Sequence, residues 1–127
     1  NAFDTFTDSA STDEIDLNSY EKPAELIMQL SHKDVFLNFF KDKKSVILKI
    51  PSGKHLIVRN NRLYTRTSDR EFPVLQFSVA CYEKIKKIIS EGYSLYDAKV
   101  RFVCSWKGKE DETESAILLP DIYFKLN

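Results

Sequence analysis

Three arginines, a histidine and a tyrosine fall at alternate positions on either side of an asparagine pair. His55, Ile57 and Arg59 precede Asn60-Asn61, and Arg62, Tyr64 and Arg66 follow it. Asparagine tolerates positive φ, so the pair predicts a two-residue type I′ turn between strands His55–Arg59 and Arg62–Thr67. Such a hairpin sets Arg59 opposite Arg62, Ile57 opposite Tyr64 and His55 opposite Arg66. Strand alternation sends all six to one face. Val58 with Leu63, and Leu56 with Thr65, take the other face, which is apolar enough to meet a core. Like charges directly opposite cost about 0.2–1 kcal/mol, and an anionic partner relieves that cost.

This face is the chain's candidate site. Lys49 and Lys54 lie upstream and extend its charge. Basic side chains position phosphates, and a tyrosine among them supplies a stacking ring. The expectation is a small binding module that contacts a polyanion, either nucleic acid or an acidic protein surface, through Lys49, Lys54, His55, Arg59, Arg62, Tyr64 and Arg66. An alternative is a protein-interaction domain of adaptor or toxin-neutralising type, with no catalytic site. A second alternative is a metal-independent ribonuclease, with His55 as proton carrier, Lys54 and Arg66 as phosphate clamps and Tyr64 as auxiliary donor. No second general acid or base accompanies His55, so an enzyme is the less favoured reading. Charges on an exposed strand also serve simply to keep sheets from pairing edge to edge.

Other chemistry lacks its residues. The three glycines are too far apart for a phosphate-binding loop or a dinucleotide fingerprint. No paired-histidine motif or Gly-flanked serine occurs, so neither a metal nor a cofactor is expected. Glu110-Asp111-Glu112 with Glu114 lacks the spaced ligands of a calcium loop and reads as a solvated turn. His32, near a helix start, reads as structural or exposed and not as catalytic.

Charge is unevenly distributed in a chain whose net charge is zero. Residues 1–32 hold one Lys and seven acids, residues 33–70 ten Lys/Arg and three Asp, and residues 71–127 eight bases and nine acids. The acidic start could therefore fold over the basic middle. Residues 1–20, rich in Asp, Ser and Thr, read as a flexible lead-in, with Asn1-Ala2 a possible tag remnant. Residues 21–127 read as one domain, in keeping with ~100–150 residues per domain.

The elements that position the site follow from hydrophobic period. Pro23, Leu26, Ile27 and Leu30 predict a helix, and Val35, Phe36, Phe39 and Phe40 a second, opened by Ser31 with Asp34 in a loose capping box. Lysines 41, 43 and 44 suit its C-terminus. Val46, Leu48 and Ile50 then alternate as a strand closed by Pro51-Ser52-Gly53. After the hairpin, a turn at 67–70 leads to a strand over 72–77. Ser78 caps a helix in which Tyr82, Ile85, Ile88 and Ile89 share a face, and Gly92 ends it. Val100, Phe102, Cys104 and Trp106 alternate as a half-buried strand, which favours Trp106 in the core over the alternative of a stacking platform. Ala116–Leu119 and Ile122–Leu126 form one interrupted strand or two, with Pro120 favouring an edge or bulge. The fold class is α+β: an N-terminal helical segment and a mainly antiparallel sheet of five to six strands, built as a four-strand meander, a helix and two further strands. No run nears the ~20 apolar residues of a membrane helix. Cys81 and Cys104 read as free thiols, which favours a reducing, cytoplasmic setting.

Overall fold

Antiparallel pairing of consecutive strands carries most of the backbone pairing in the computed structural model, which describes residues 21–107 and 114–127. The strands are β1 (Glu25–Gln29), β2 (Ile57–Arg59), β3 (Arg62–Thr67), β4 (Arg70–Gln76), β5 (Tyr93–Trp106) and β6 (Ser115–Leu126). They form two three-stranded sheets, ordered β1-β6-β5 and β2-β3-β4. A single-turn helix α1 (Lys44–Ile47) lies between β1 and β2, and α2 (Val79–Ser90) joins the sheets. The α+β class and antiparallel pairing are as expected, although the strands divide between two sheets.

Backbone hydrogen bonds stitch the sheets together along two seams. In one, Leu56 N–H donates to Ala98 O at 2.8 Å, Val100 N–H to Lys54 O at 2.9 Å and Gly53 N–H to Val100 O at 2.7 Å. The segment running into β2 thus lies antiparallel to β5, with His55 opposite Lys99. In the other, Val35 bridges Phe77, and Phe36 N–H donates to Gln76 O at 2.8 Å. The core between the sheets includes Phe40, Ile47, Leu63, Leu75, Ile122 and Phe124, each essentially free of solvent.

The N-terminal helical segment is corrected. Residues 25–29 are a strand paired with β6, with Leu26 opposite Phe124 and Met28 opposite Ile122. Leu26, Met28 and Leu30 turn toward the core, so a period of two fits these apolar residues as well as the helical one did. The open edge of β6 decides between the two readings. The second helix is also corrected. Ser31 and Asp34 do form a capping box, Ser31 N–H donating to Asp34 Oδ2 at 2.8 Å, but it holds one 3-10 turn at His32–Asp34. Another 3-10 turn follows at Leu37–Phe40. His32 is exposed.

The strand expected from Ser45 to Ile50 is replaced by α1 and a turn. Ile47 and Leu48 donate to Lys43 and Lys44 carbonyls, while Ile47 and Ile50 are buried and Leu48 is exposed. Spacing of three, not two, therefore brings this stretch to the core, and the expected four-strand meander has three strands.

Helix α2 begins where expected: Ser78 Oγ accepts from Cys81 N–H at 3.1 Å. Gly92 follows its end at φ +105°, which glycine adopts without strain. Ile85 is buried, Tyr82 and Ile88 are half-buried, and Ile89 is exposed. Strand β5 is longer than the alternation suggested, and two bulges reset its phase, at Tyr96 and Arg101. Val100 stays buried, but Phe102 beyond the second bulge is 40% exposed. Phe36, expected in the core, is also exposed. Trp106 ends β5 opposite Ser115. Pro120 is no edge residue: it is buried in the central strand opposite Val100, beside that bulge. The acidic lead-in 1–20 and Glu110-Asp111-Glu112 lie outside the described residues.

Candidate functional site

The hairpin forms with the expected register. Ile57 pairs with Tyr64, Val58 with Leu63 and Arg59 with Arg62. Leu56, Leu63 and Thr65 are buried on the core side. Thr65 Oγ1 has no hydrogen-bond partner among the described residues. Of the turn pair, Asn60 takes a positive φ of 54° and Asn61 does not, so the turn departs from type I′. Asn61 O instead accepts from Phe77 N–H at 2.9 Å, tying the turn to the end of β4.

A third strand alters the electrostatics of the face. β4 sets Glu71 opposite Arg66, Pro73 opposite Tyr64 and Gln76 opposite Arg62. Arg59 reaches across β3 and grips Glu71 with two parallel bonds, Nε to Oε1 and Nη2 to Oε2, each 2.9 Å. This planar fork is the strong form of an arginine–carboxylate pair. Hydrogen bonding to Arg59 holds the Glu71 carboxyl below its usual value, and the same bond raises the Arg59 guanidinium. Arg62 Nε donates to Gln76 Oε1 at 3.0 Å, and its guanidinium lies 4.9 Å from the Phe39 ring centroid. Lys43 Nζ lies 4.2 Å from that centroid, so two cations share one ring.

The remaining predicted residues are scattered more widely. Arg66 is exposed. Lys54 Nζ donates to Arg66 O at 3.1 Å, so it braces β3. Tyr64 is half-buried between Ile57 and Pro73, which limits it as a stacking platform. Lys49 is exposed but lies beyond α1, off the sheet. His55 does not belong to the β2–β3 ladder; it sits at the seam opposite Lys99. Its Nδ1 lies 2.9 Å from Asp97 Oδ1. A carboxylate only accepts, so Nδ1–H is the donor in this bond. The bond orients the imidazole ring on an exposed surface.

Sequence reading missed the residues on the far side of the seam. Tyr96 and Tyr123 face outward from β5 and β6 with ring centroids 6.1 Å apart. Lys99 lies 5.1 Å from the Tyr123 centroid, and Lys125 lies 5.4 Å from that of Tyr96. Tyr96 Oη donates to Glu25 Oε1 at 2.8 Å, which fixes the ring and raises its phenol above the usual value. Tyr123, alternating with buried Ile122 and Phe124, was the available signal. Tyr96 reaches this face through a bulge, which leaves no mark in hydrophobic period.

Among the described residues no cluster of three or more His, Cys, Asp or Glu forms a metal-binding group. No helix there is long and apolar enough to cross a membrane. Comparison with protein-family models, with curated proteins and with solved structures finds no match.

Proposed function

We propose that this protein is a small binding module whose basic β2-β3-β4 face contacts a polyanion. The observation that carries the reading is charge imbalance on that face. Arg59 is matched by Glu71, while Arg62 and Arg66 on the face, and Lys43 and Lys54 beside it, have no carboxylate within ion-pair distance among the described residues. Unmatched cations around an ordered scaffold attract anionic ligands and release counterions when they bind them.

The test is retention on heparin, followed by affinity for a polyanion across a salt series. Replacing Arg62 and Arg66 with Ala should each lower the salt slope by about 0.7–0.9, the loss of one neutralised phosphate. An unretained parent at low salt would remove the reading and leave a protein-interaction domain of another kind, which exposed Val79 and Phe36 would suit.

A second reading, metal-independent RNA cleavage, rests on the oriented His55–Asp97 pair. His55→Ala would then abolish cleavage of labelled RNA while leaving affinity nearly unchanged, since a positioned acid or base contributes roughly two to four orders of magnitude in rate. An intact RNA after incubation with the folded parent would reject it.

A further inference from the structure

We propose that the polyanion is a single-stranded nucleic acid, stacked on Tyr96 and Tyr123 and held along its backbone by Lys99, Lys125 and the basic hairpin. This deepens the polyanion reading and rests on it. Directly opposed residues of an antiparallel pair point to the same side. His55, opposite Lys99, therefore shares the outer face of the β1-β6-β5 sheet. The bond from His55 to Asp97 crosses on that side, and Asp97 is itself paired with Tyr123. Alternation then carries the same face from His55 past buried Leu56 to Ile57 and Arg59, and on to Arg66. The outer surfaces of the two sheets are thus one surface, with aromatic rings at one end and unmatched arginine at the other.

Each end supplies what the other lacks. The hairpin has cations, but its only ring, Tyr64, is half-buried. The β1-β6-β5 face has two rings close together, Tyr96 at 47% exposure and Tyr123 half-buried, with Lys125 and Lys99 lying over them. Bases stack on any accessible π-face, whereas bases inside a duplex are already stacked on one another. A rigid tyrosine pair on a twisted sheet, flanked by lysines, consequently discriminates in favour of an unpaired strand. Duplexes and sulfated polysaccharides can engage only the charges.

The experiment measures fluorescence anisotropy of a labelled single-stranded oligonucleotide of ~16 nucleotides, its duplex, and heparin retention in parallel. RNA and DNA versions of the strand distinguish the two sources. The expected result is tighter binding of the single strand than of the duplex. Tyr96→Ala and Tyr123→Ala should each weaken the single-strand complex roughly 5- to 150-fold and leave heparin retention unchanged. Tyr123→Phe, which keeps the ring, should bind as the parent does. A melting curve for each variant separates lost stacking from lost fold, and exposed Tyr96 gives the safer substitution.

Equal affinity for duplex and single strand, or Tyr96→Ala binding like the parent, would overturn the inference while heparin retention kept the polyanion reading. Loss of heparin retention as well would remove both. Concentration-dependent dimerisation that Tyr96→Ala abolishes, without oligonucleotide binding, would assign the face to a second copy of this chain and likewise overturn the inference.

Discussion

The two sheets each carry one cross-strand arginine–carboxylate pair on an exposed face, yet they differ in what surrounds it. On β1-β6-β5 one ion pair crosses strands, Arg101 Nη1 donating to Asp121 Oδ1 at 2.8 Å, while Lys99 and Lys125 lie over the Tyr123 and Tyr96 rings. On β2-β3-β4 arginine opposes arginine at Arg59 and Arg62, and one carboxylate, Glu71, serves the face. Matched pairs contribute to holding strands in register, whereas an unmatched face is left with a field to direct at a partner. The difference separates a face that offers rings, braced by one ion pair, from a face that offers mostly unpaired cations, and the two adjoin at His55.

That contrast can be broken most severely from beneath. Phe124, fully buried in central β6 opposite Leu26 and Leu95, should lose about 3–5 kcal/mol of stability on replacement by Ala. Phe36, at 46% exposure, should lose far less under the same change. Thermal or denaturant melts of the two variants check the ranking, and equal losses would mean the core is misplaced.

The ion pair on β1-β6-β5 is tested next, at Arg101. Its Nη2 donates to Leu30 O at 2.6 Å while Nη1 reaches Asp121, so one guanidinium ties β5 to β6 and to the residue after β1. Hydrogen bonds to charged groups contribute roughly 1.5–3 kcal/mol, and Arg101→Ala should cost about that much. Arg101→Lys cannot reproduce the fork and should recover only part of it. A variant as stable as the parent would mean that the matching is ornamental.

The smallest expected effect lies on the unmatched side. Glu71→Gln removes the charge that grips Arg59, so polyanion binding should tighten and its salt slope should rise by about 0.7–0.9. Acid should do the same to the parent. Glu71 has a depressed pKa in the fold, so its ion pair persists above the ordinary carboxylate value of 4.5 and is lost only as pH falls through the lower, folded-state one. A salt slope that rises on acidification in the parent but not in Glu71→Gln would locate the effect at this residue. Parallel behaviour of the two would deny Glu71 its masking role.

Cys81 offers an independent check on the core side of α2. Burial pushes its thiol up to about 12, so at neutral pH it stays protonated. Alkylation of the folded protein should therefore reach half-buried Cys104 before Cys81, with mass spectrometry of the digested product as the readout.

Local signals carried much of this architecture. Asn60-Asn61 and the alternation around it specified the hairpin register down to Arg59 opposite Arg62, because a two-residue turn leaves little freedom in pairing. Ser78 and Gly92 bounded α2 for the same reason: cap and terminus are satisfied within a few residues of the chain. Where two periods fitted the same residues, only distant partners could choose. Leu26 and Met28 became strand because β6 offered an edge, and Ile47 and Ile50 became helix and turn because spacing of three reached the core. The bulges at Tyr96 and Arg101 are likewise invisible to composition, since they arise from fitting a long β5 to β6. The site divides along the same line. The sequence alone determined that basic side chains would share one face of a hairpin. Tertiary structure decided that Glu71 would neutralise one of them, that His55 would face Asp97, and that a tyrosine pair would adjoin them. Backbone geometry over a few residues is settled locally, whereas charge partners and neighbouring strands are chosen by packing across the whole chain.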